Sequence, residues 1–234
     1  MIENLPSYVA FTFILTTFLT VGFLLNAVKR TVFDTFPAKL LIFLIAFGIF
    51  FQAILALTGF YENTAIFPPR IIIFGVLPAI LLIAVYFIFF RKSFIEKLPL
   101  KVLTLVHVVR IPVEIVLLWL FQNQFVPRSM TFEGSNFDIL SGITAPFVYF
   151  LAFRGGKING TLLISWNIFA LVLLFNIVFT AVAAFPAFNQ NISPELQNRA
   201  VVYFPYVWLP TVIVPIVLFS HLASFWKLAK KSFE

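Results

Sequence analysis

Three ionisable residues, His107, Arg110 and Glu114, stand inside an apolar run of membrane length, Lys101 to Gln122 (KVLTLVHVVRIPVEIVLLWLFQ). At about 100° per helical residue they fall within roughly a 60° arc, with Glu114 about 40° round from Arg110 and one turn further on. They share one face. An ionisable group at membrane depth costs from ~2.5 to more than ~10 kcal/mol, so such groups turn inward, pair and mark a site. The carboxylate is the member whose protonation can change, the guanidinium can hold an anion, and the imidazole can act as base or ligand. An Arg110–Glu114 pair at i, i+4 therefore reads as a substrate clamp or proton relay, or as a buried pair that only fixes helix packing. Pro112 lies between them, removes one backbone donor and frees the carbonyl of Val108 for Arg110 or a water.

The polar stretch that follows, NQFVPRSMTFEGSNFDILSG, brings Arg128, Glu133, Asn136 and Asp138 close together just before the next span. Glu133, Asn136 and Asp138 join His107, Arg110 and Glu114 as candidate binding or proton-relay residues. Ser135 and Asp138 also have the S-x-x-D spacing of a capping box, a purely structural use for the aspartate. On the helix beyond, Asp138, Gly142, Ala145 and Tyr149 share a face of small residues suited to close approach by another helix or a ligand. A second constellation is the histidine pair. His107 and His221 each lie six residues from a lysine, Lys101 and Lys227, hence about 9 Å from the same membrane edge at 1.5 Å per residue. Equal depth on two helices is what bis-histidine ligation of haem b requires.

The elements that must position these residues are membrane helices. The chain has 234 residues, 62% of them hydrophobic and only 11% charged, with 33 Phe and a mean hydropathy of +1.05. That composition belongs to a multi-pass membrane protein. The absence of cysteine excludes disulfides, thiolate metal sites and a cysteine nucleophile. The formal charge of +7 sits at span ends, where it answers to anionic lipid and to topology, so nucleic acid is not an expected partner.

Hydropathy predicts an all-α bundle of seven spans at about 8–28, 38–60, 71–90, 101–122, 137–153, 161–184 and 201–226. Thr12, Thr16 and Thr20 are expected to bond back to their own helix, and Gln52 to bond across to another. Pro78 and Pro146 are expected to kink their helices, and Pro205, Pro210 and Pro215 to bend the last one, which Ser193-Pro194-Glu195 would start. Asn191-Ile192-Ser193 has the form of a glycosylation sequon. Twelve basic residues (Lys29, Arg30, Lys39, Arg91, Lys92, Lys97, Lys101, Arg154, Lys157, Lys227, Lys230 and Lys231) flank one side, against Arg70, Arg128 and Arg199 on the other. The excess marks the cytoplasmic face, so the N-terminus is outside and the C-terminus cytoplasmic, in the cell membrane.

Known seven-helix families do not fit. The last span has lysines only at its cytoplasmic end, where retinal cannot sit at mid-span, and two histidines are too few for a seven-helix zinc hydrolase. Three functions stay open. The first is a non-enzymatic membrane protein with an outward-facing polar pocket that transports or senses a small solute or proton. The second is an intramembrane enzyme acting on a lipid or lipid-linked substrate, with His107 or Glu114 as base and Arg110 on the head group, although no nucleophile motif accompanies them. The third is the haem protein held by His107 and His221; otherwise no cofactor is expected. Membrane lipids are the expected partners, and a homo-oligomer is compatible.

Overall fold

The computed structural model describes residues 2, 5–189 and 193–231. Asn191 and Ile192 of the sequon lie outside them. Among the described residues all regular structure is helical: α1 (Ser7–Lys29), α2 (Phe36–Leu57), α3 (Leu77–Phe89), α4 (Leu100–Leu105), α5 (Arg110–Gln122), α6 (Ile139–Ala152), α7 (Gly160–Ala183) and α8 (Val214–Lys231), joined by short 3₁₀ and π turns. Counting α4 and α5 as one span, and α3 and α8 with the turns that open them, six of these helices are long and apolar enough to cross a membrane. The chain is a membrane-spanning helical protein.

The fifth expected span, 137–153, is the exception. Only the 14 residues Ile139–Ala152 are helical, about 21 Å against a hydrocarbon core of about 30 Å. Both ends are taken up by other structure. The residues before Ile139 fold into a turn closed by Asn136, and after Phe153 the chain reverses through Gly155 and Gly156, at φ 70° and 77°. Nor does a capping box form, because the Ser135 hydroxyl donates to the Ser129 carbonyl and the Asp138 side chain makes no cap bond.

The last span also begins later than expected. A helix from Ser193 or 201 gives way to two single 3₁₀ turns, Pro194–Leu196 and Ala200–Val202, and the membrane helix starts at Leu209. Pro205 has no N–H to offer and crowds the preceding turn, so no helix continues through it, whereas Pro210 falls in the first turn of the membrane helix, where a missing N–H has no partner to lose.

Two prolines leave the same local signature. Pro78 cannot donate to the carbonyl of Phe74, and Pro215 cannot donate to that of Thr211, so the helix opens there to i→i+5 bonding. The π turns Ile72–Val76 and Leu209–Ile213 result, closed by Leu77 N–H to Ile72 O and by Val214 N–H to Leu209 O. The Phe74 carbonyl is taken by Gln52 Nε2 at 2.7 Å, and Gln52 Oε1 accepts from the Tyr61 hydroxyl at 2.7 Å. Gln52 therefore bridges α2 to the turn before α3. The two π turns pack against each other at Gly75, where a Cβ would come within 2.6 Å of Thr211 Cγ2.

Burial decides which helices are central. In the α4–α5 and α8 stretches 61% of the apolar window is enclosed, against 17% for Ile72–Phe89. Helix α1 lies against α4 and α5, and α6 packs on α7 and on the 3₁₀ turn between α4 and α5. Phe50, Phe147 and Phe179 face outward, as rings against lipid do. Of the threonines of α1 expected to bond back, Thr16 and Thr20 do so, and Thr17 joins them; each donates to a carbonyl four residues back. At one end of the bundle, α8 is tied to the turn before α4. Lys227 Nζ donates to the carbonyls of Glu96 and Leu98 at 2.5 Å, and Lys230 pairs with Glu96 Oε2 at 2.9 Å.

Gly75→Ala is expected to destabilise the fold by about 1–3 kcal/mol, as overpacking does. Thr211→Ser removes the offending methyl but keeps the hydroxyl bond to Val207 O, so the double variant regains most of the loss in detergent unfolding. No recovery would mean that the π turns do not meet at this point. A second expectation concerns acid. The Glu96 carboxyl is held below the usual carboxylate range, chiefly because Lys230 donates to its ionised form. A lowered value means that the tether contributes fully above the ordinary value of 4.5 and is lost as pH falls through the lowered one. Trp226, whose indole N–H reaches Glu96 Oε1 at 3.4 Å, reports it. Its emission, isolated by difference against Trp226→Phe, changes on acidification, and Glu96→Gln removes that change.

Candidate functional site

The site grows from the break in the fourth span. Ahead of Pro112 the helix tightens into the 3₁₀ turn Val106–Val109, and α5 restarts at Arg110. Opposite this break α6 comes very close, because a Cβ on Gly142 would sit 2.8 Å from Ile111 Cγ1 and 3.0 Å from the Ile111 backbone nitrogen. Glycine brings the start of α6, and with it Asp138, to the start of α5.

Arg110 then distributes its donors. Nη1 donates to Asp138 Oδ1 at 2.7 Å and to the Ala170 carbonyl on α7 at 3.0 Å, and Nη2 donates to His221 Nε2 on α8 at 2.8 Å. A guanidinium has no acceptor to offer, so His221 Nε2 is unprotonated and Nδ1 carries the ring proton. That proton goes to Asn167 Oδ1 at 2.8 Å, and Asn167 Nδ2 donates to Leu163 O at 2.8 Å. His221 is neutral. On the other side, Asn136 Nδ2 donates to Glu114 Oε1 at 2.6 Å and to Met130 O at 3.0 Å, while Asn136 Oδ1 accepts from the Asp138 N–H at 3.0 Å. The result is one buried polar chain, Glu114–Asn136–Asp138–Arg110–His221–Asn167.

The expected Arg110–Glu114 ion pair is corrected by this arrangement. Among the described residues the ion pairs are Arg110–Asp138 and Lys230–Glu96. Arg110 is drawn to the three helices that offer it acceptors, and Asn136 holds Glu114. His107 is fully buried and stacks on His221, with ring centroids 4.0 Å apart, and lies edge-on to Trp166 at 5.2 Å. Glu133 is exposed on the loop and outside the chain of bonds. The cluster is enclosed rather than open to the loop side: Glu114 is 1% and Asp138 5% exposed, and Met130, Thr131 and Asn136 of the loop are buried with them.

The histidines do not suit a shared haem iron as placed. Their rings lie face to face at stacking distance, and both nitrogens of His221 are engaged by Arg110 and Asn167. Bis-histidine ligation needs one free nitrogen from each ring directed at a metal between them.

Beside the cluster lies a cavity of about 180 Å³. Arg110, Glu114 and Asp138 form its charged wall, and Val113, Leu117, Ile177 and Ile213 are among the apolar residues around the rest. Three buried polar atoms of its lining residues have no protein partner: Glu114 Oε2, Arg110 Nε and Asn198 Oδ1. Sequence reading missed Asn198, which looks like an ordinary loop amide, and did not connect His221 or Asn167 to Arg110. The equal depth of His107 and His221 placed the two rings at one level, but the connection to Arg110 needs three helices placed together.

Asp138→Asn leaves Arg110 without its counter-charge and is expected to cost about 3–5 kcal/mol, whereas Arg110→Met with Asp138→Leu recovers most of that. Unfolding of the purified protein in detergent measures both. A double variant no more stable than Asp138→Asn alone would refute the pairing.

No curated protein and no solved structure matches the chain significantly. A family model does match, over residues 68–229, and this stretch contains the whole cluster and the turns beside it. With more than two thirds of its length matched, the chain belongs to the family described as a domain of unknown function, DUF8737.

Proposed function

We propose that the protein is a non-enzymatic membrane protein that binds a small solute in the cavity beside Arg110, Glu114 and Asp138, for transport or sensing, with Glu114 exchanging a proton as it does so. The observation that carries this reading is Glu114 Oε2, a buried carboxylate oxygen without a protein partner, on a residue that lines a cavity. Charge balance supports it. Arg110 is answered by Asp138 and His221 is neutral, so an ionised Glu114 leaves one net negative charge in the interior. One proton on Glu114 removes it. The proton therefore trades against anything that brings positive charge.

In the bilayer we place the chain with its N-terminus outside and the Arg128–Asp138 loop on the outer face of the cell membrane, on the strength of the basic residues at the opposite end. The catalytic alternative, with His107 or Glu114 as base, is the less supported, since His107 is fully buried between His221 and Trp166 and is not among the residues lining the cavity.

The test is infrared difference spectroscopy on the purified protein titrated between about pH 5 and about pH 9, a range that brackets perturbed carboxyls. A protonated-carboxyl stretch appears on acidification, is absent from Glu114→Gln, and persists in Glu133→Gln. If Glu114→Gln leaves the band unchanged, Glu114 is not the exchanging group and the reading fails.

A further inference from the structure

Resting on that reading, we propose that the solute is a small primary or secondary amine, bound as its ammonium cation with an apolar body, which displaces the proton from Glu114.

Several observations narrow the class. The cavity's charged wall holds one cation and two carboxylates, and the cation's Nη atoms are already matched to Asp138, Ala170 and His221. An anion would meet Asp138 and Glu114, with only the Nε–H and one Nη2–H of Arg110 left to receive it. A cation beside this wall is drawn to the Glu114 carboxylate, whose Oε2 has no protein partner. Other groups do not change this balance. The titratable or charged groups near Glu114 are Arg110 one turn before it, Asp138 at the start of α6, and His107 and His221. Helix α7 and the two π turns contain no ionisable residue, and α1 has only Tyr8 and Lys29, at its two ends.

The lining then selects among cations. A bare metal ion needs about six oxygen ligands, and among the lining residues only the side chains of Glu114, Asp138 and Asn198 carry oxygen, with Asp138 already paired to Arg110. The remaining walls are largely apolar, with Val113, Leu117, Leu174, Ile177, Ile213 and Val217 among them. A charged head with an apolar body fits that mixture. Oxygen acceptors on separate side chains favour an ammonium bearing N–H donors over a quaternary one, which has none. Size sets an upper bound. At about 180 Å³ the cavity is smaller than the roughly 300–1,000 Å³ of drug-sized sites, so the ligand has on the order of ten non-hydrogen atoms. The exchange balances: one ammonium cation enters, one proton leaves Glu114 for solvent, and no covalent bond changes.

The probe is 2-phenylethylamine, titrated calorimetrically into the purified full-length protein in two buffers of different ionisation enthalpy. Binding with release of one proton per amine is expected, and the apparent affinity falls about tenfold per pH unit of acidification while Glu114 carries its proton. Glu114→Gln abolishes the proton release and weakens binding at least tenfold. Propylbenzene and 3-phenylpropionate, of similar shape without the positive charge, bind at least tenfold more weakly, as does the trimethylammonium analogue. Ile213→Phe, which fills the cavity without touching the cluster's bonds, removes binding and guards against a misfolded Glu114 variant. Equal affinity for propylbenzene, or amine binding unaffected by both Glu114→Gln and Ile213→Phe, overturns the inference. If the carboxyl band of Glu114 titrates but 2-phenylethylamine does not bind, the amine inference falls and the proton-exchange reading stands. If the band does not titrate, both fall.

Discussion

The guanidinium of Arg110 is the demand around which the interior is arranged. A cation at bilayer depth must be matched by acceptors or the helix that carries it will not stay inserted. Its acceptors come from Asp138 before α6, Ala170 on α7 and His221 on α8, so one side chain ties α5 to three other elements. The demand propagates. Accepting from Arg110 fixes the tautomer of His221, the tautomer fixes the orientation of the Asn167 amide, and that amide is satisfied by its own helix at Leu163. On the other side Asn136 both holds Glu114 and receives the Asp138 N–H, which keeps the carboxylate aimed at the guanidinium rather than at the helix start it precedes.

Proline supplies the irregularity that the cluster needs. Pro112 coincides with the 3₁₀ turn that restarts the helix at Arg110, and Pro78 and Pro215 with the π turns that meet at Gly75 and Thr211. These two turns form a shared wall. Ile72, Val76, Pro210 and Ile213 face the cavity beside Glu114, whereas Phe74, Gly75, Thr211 and Val212 face a larger apolar crevice of about 570 Å³ between α2 and α3. Under-bonded helix thus separates a lipid-like crevice from a charged interior, and irregular backbone is tolerated at such depth because it is enclosed by protein or lines a cavity.

Much of this was legible along the chain. Five spans follow from hydropathy to within a few residues, because an apolar run of that length has no other stable use. The small-residue face of α6 was legible as well, and Gly142 does allow the close approach to Ile111. The fifth and last spans were overextended for one reason. Hydropathy registers Phe, Val and Pro as apolar whether or not the backbone is helical, so it ran through the Asn136 turn at one end of α6 and through Pro205 before the last membrane helix.

For the site, the residue types by themselves determined that Arg110, Glu114 and Asp138 would not face lipid, since the penalty for a charge in hydrocarbon is local and needs no knowledge of neighbours. Which groups pair was decided only by the tertiary structure. Helical spacing proposed Glu114 for Arg110, but the fold brought in Asp138 from 28 residues away and His221 from 111. Hydrogen bonds are short and directional, so the choice among acceptors belongs to the packing of α6, α7 and α8 around α5 and not to the order of residues within it.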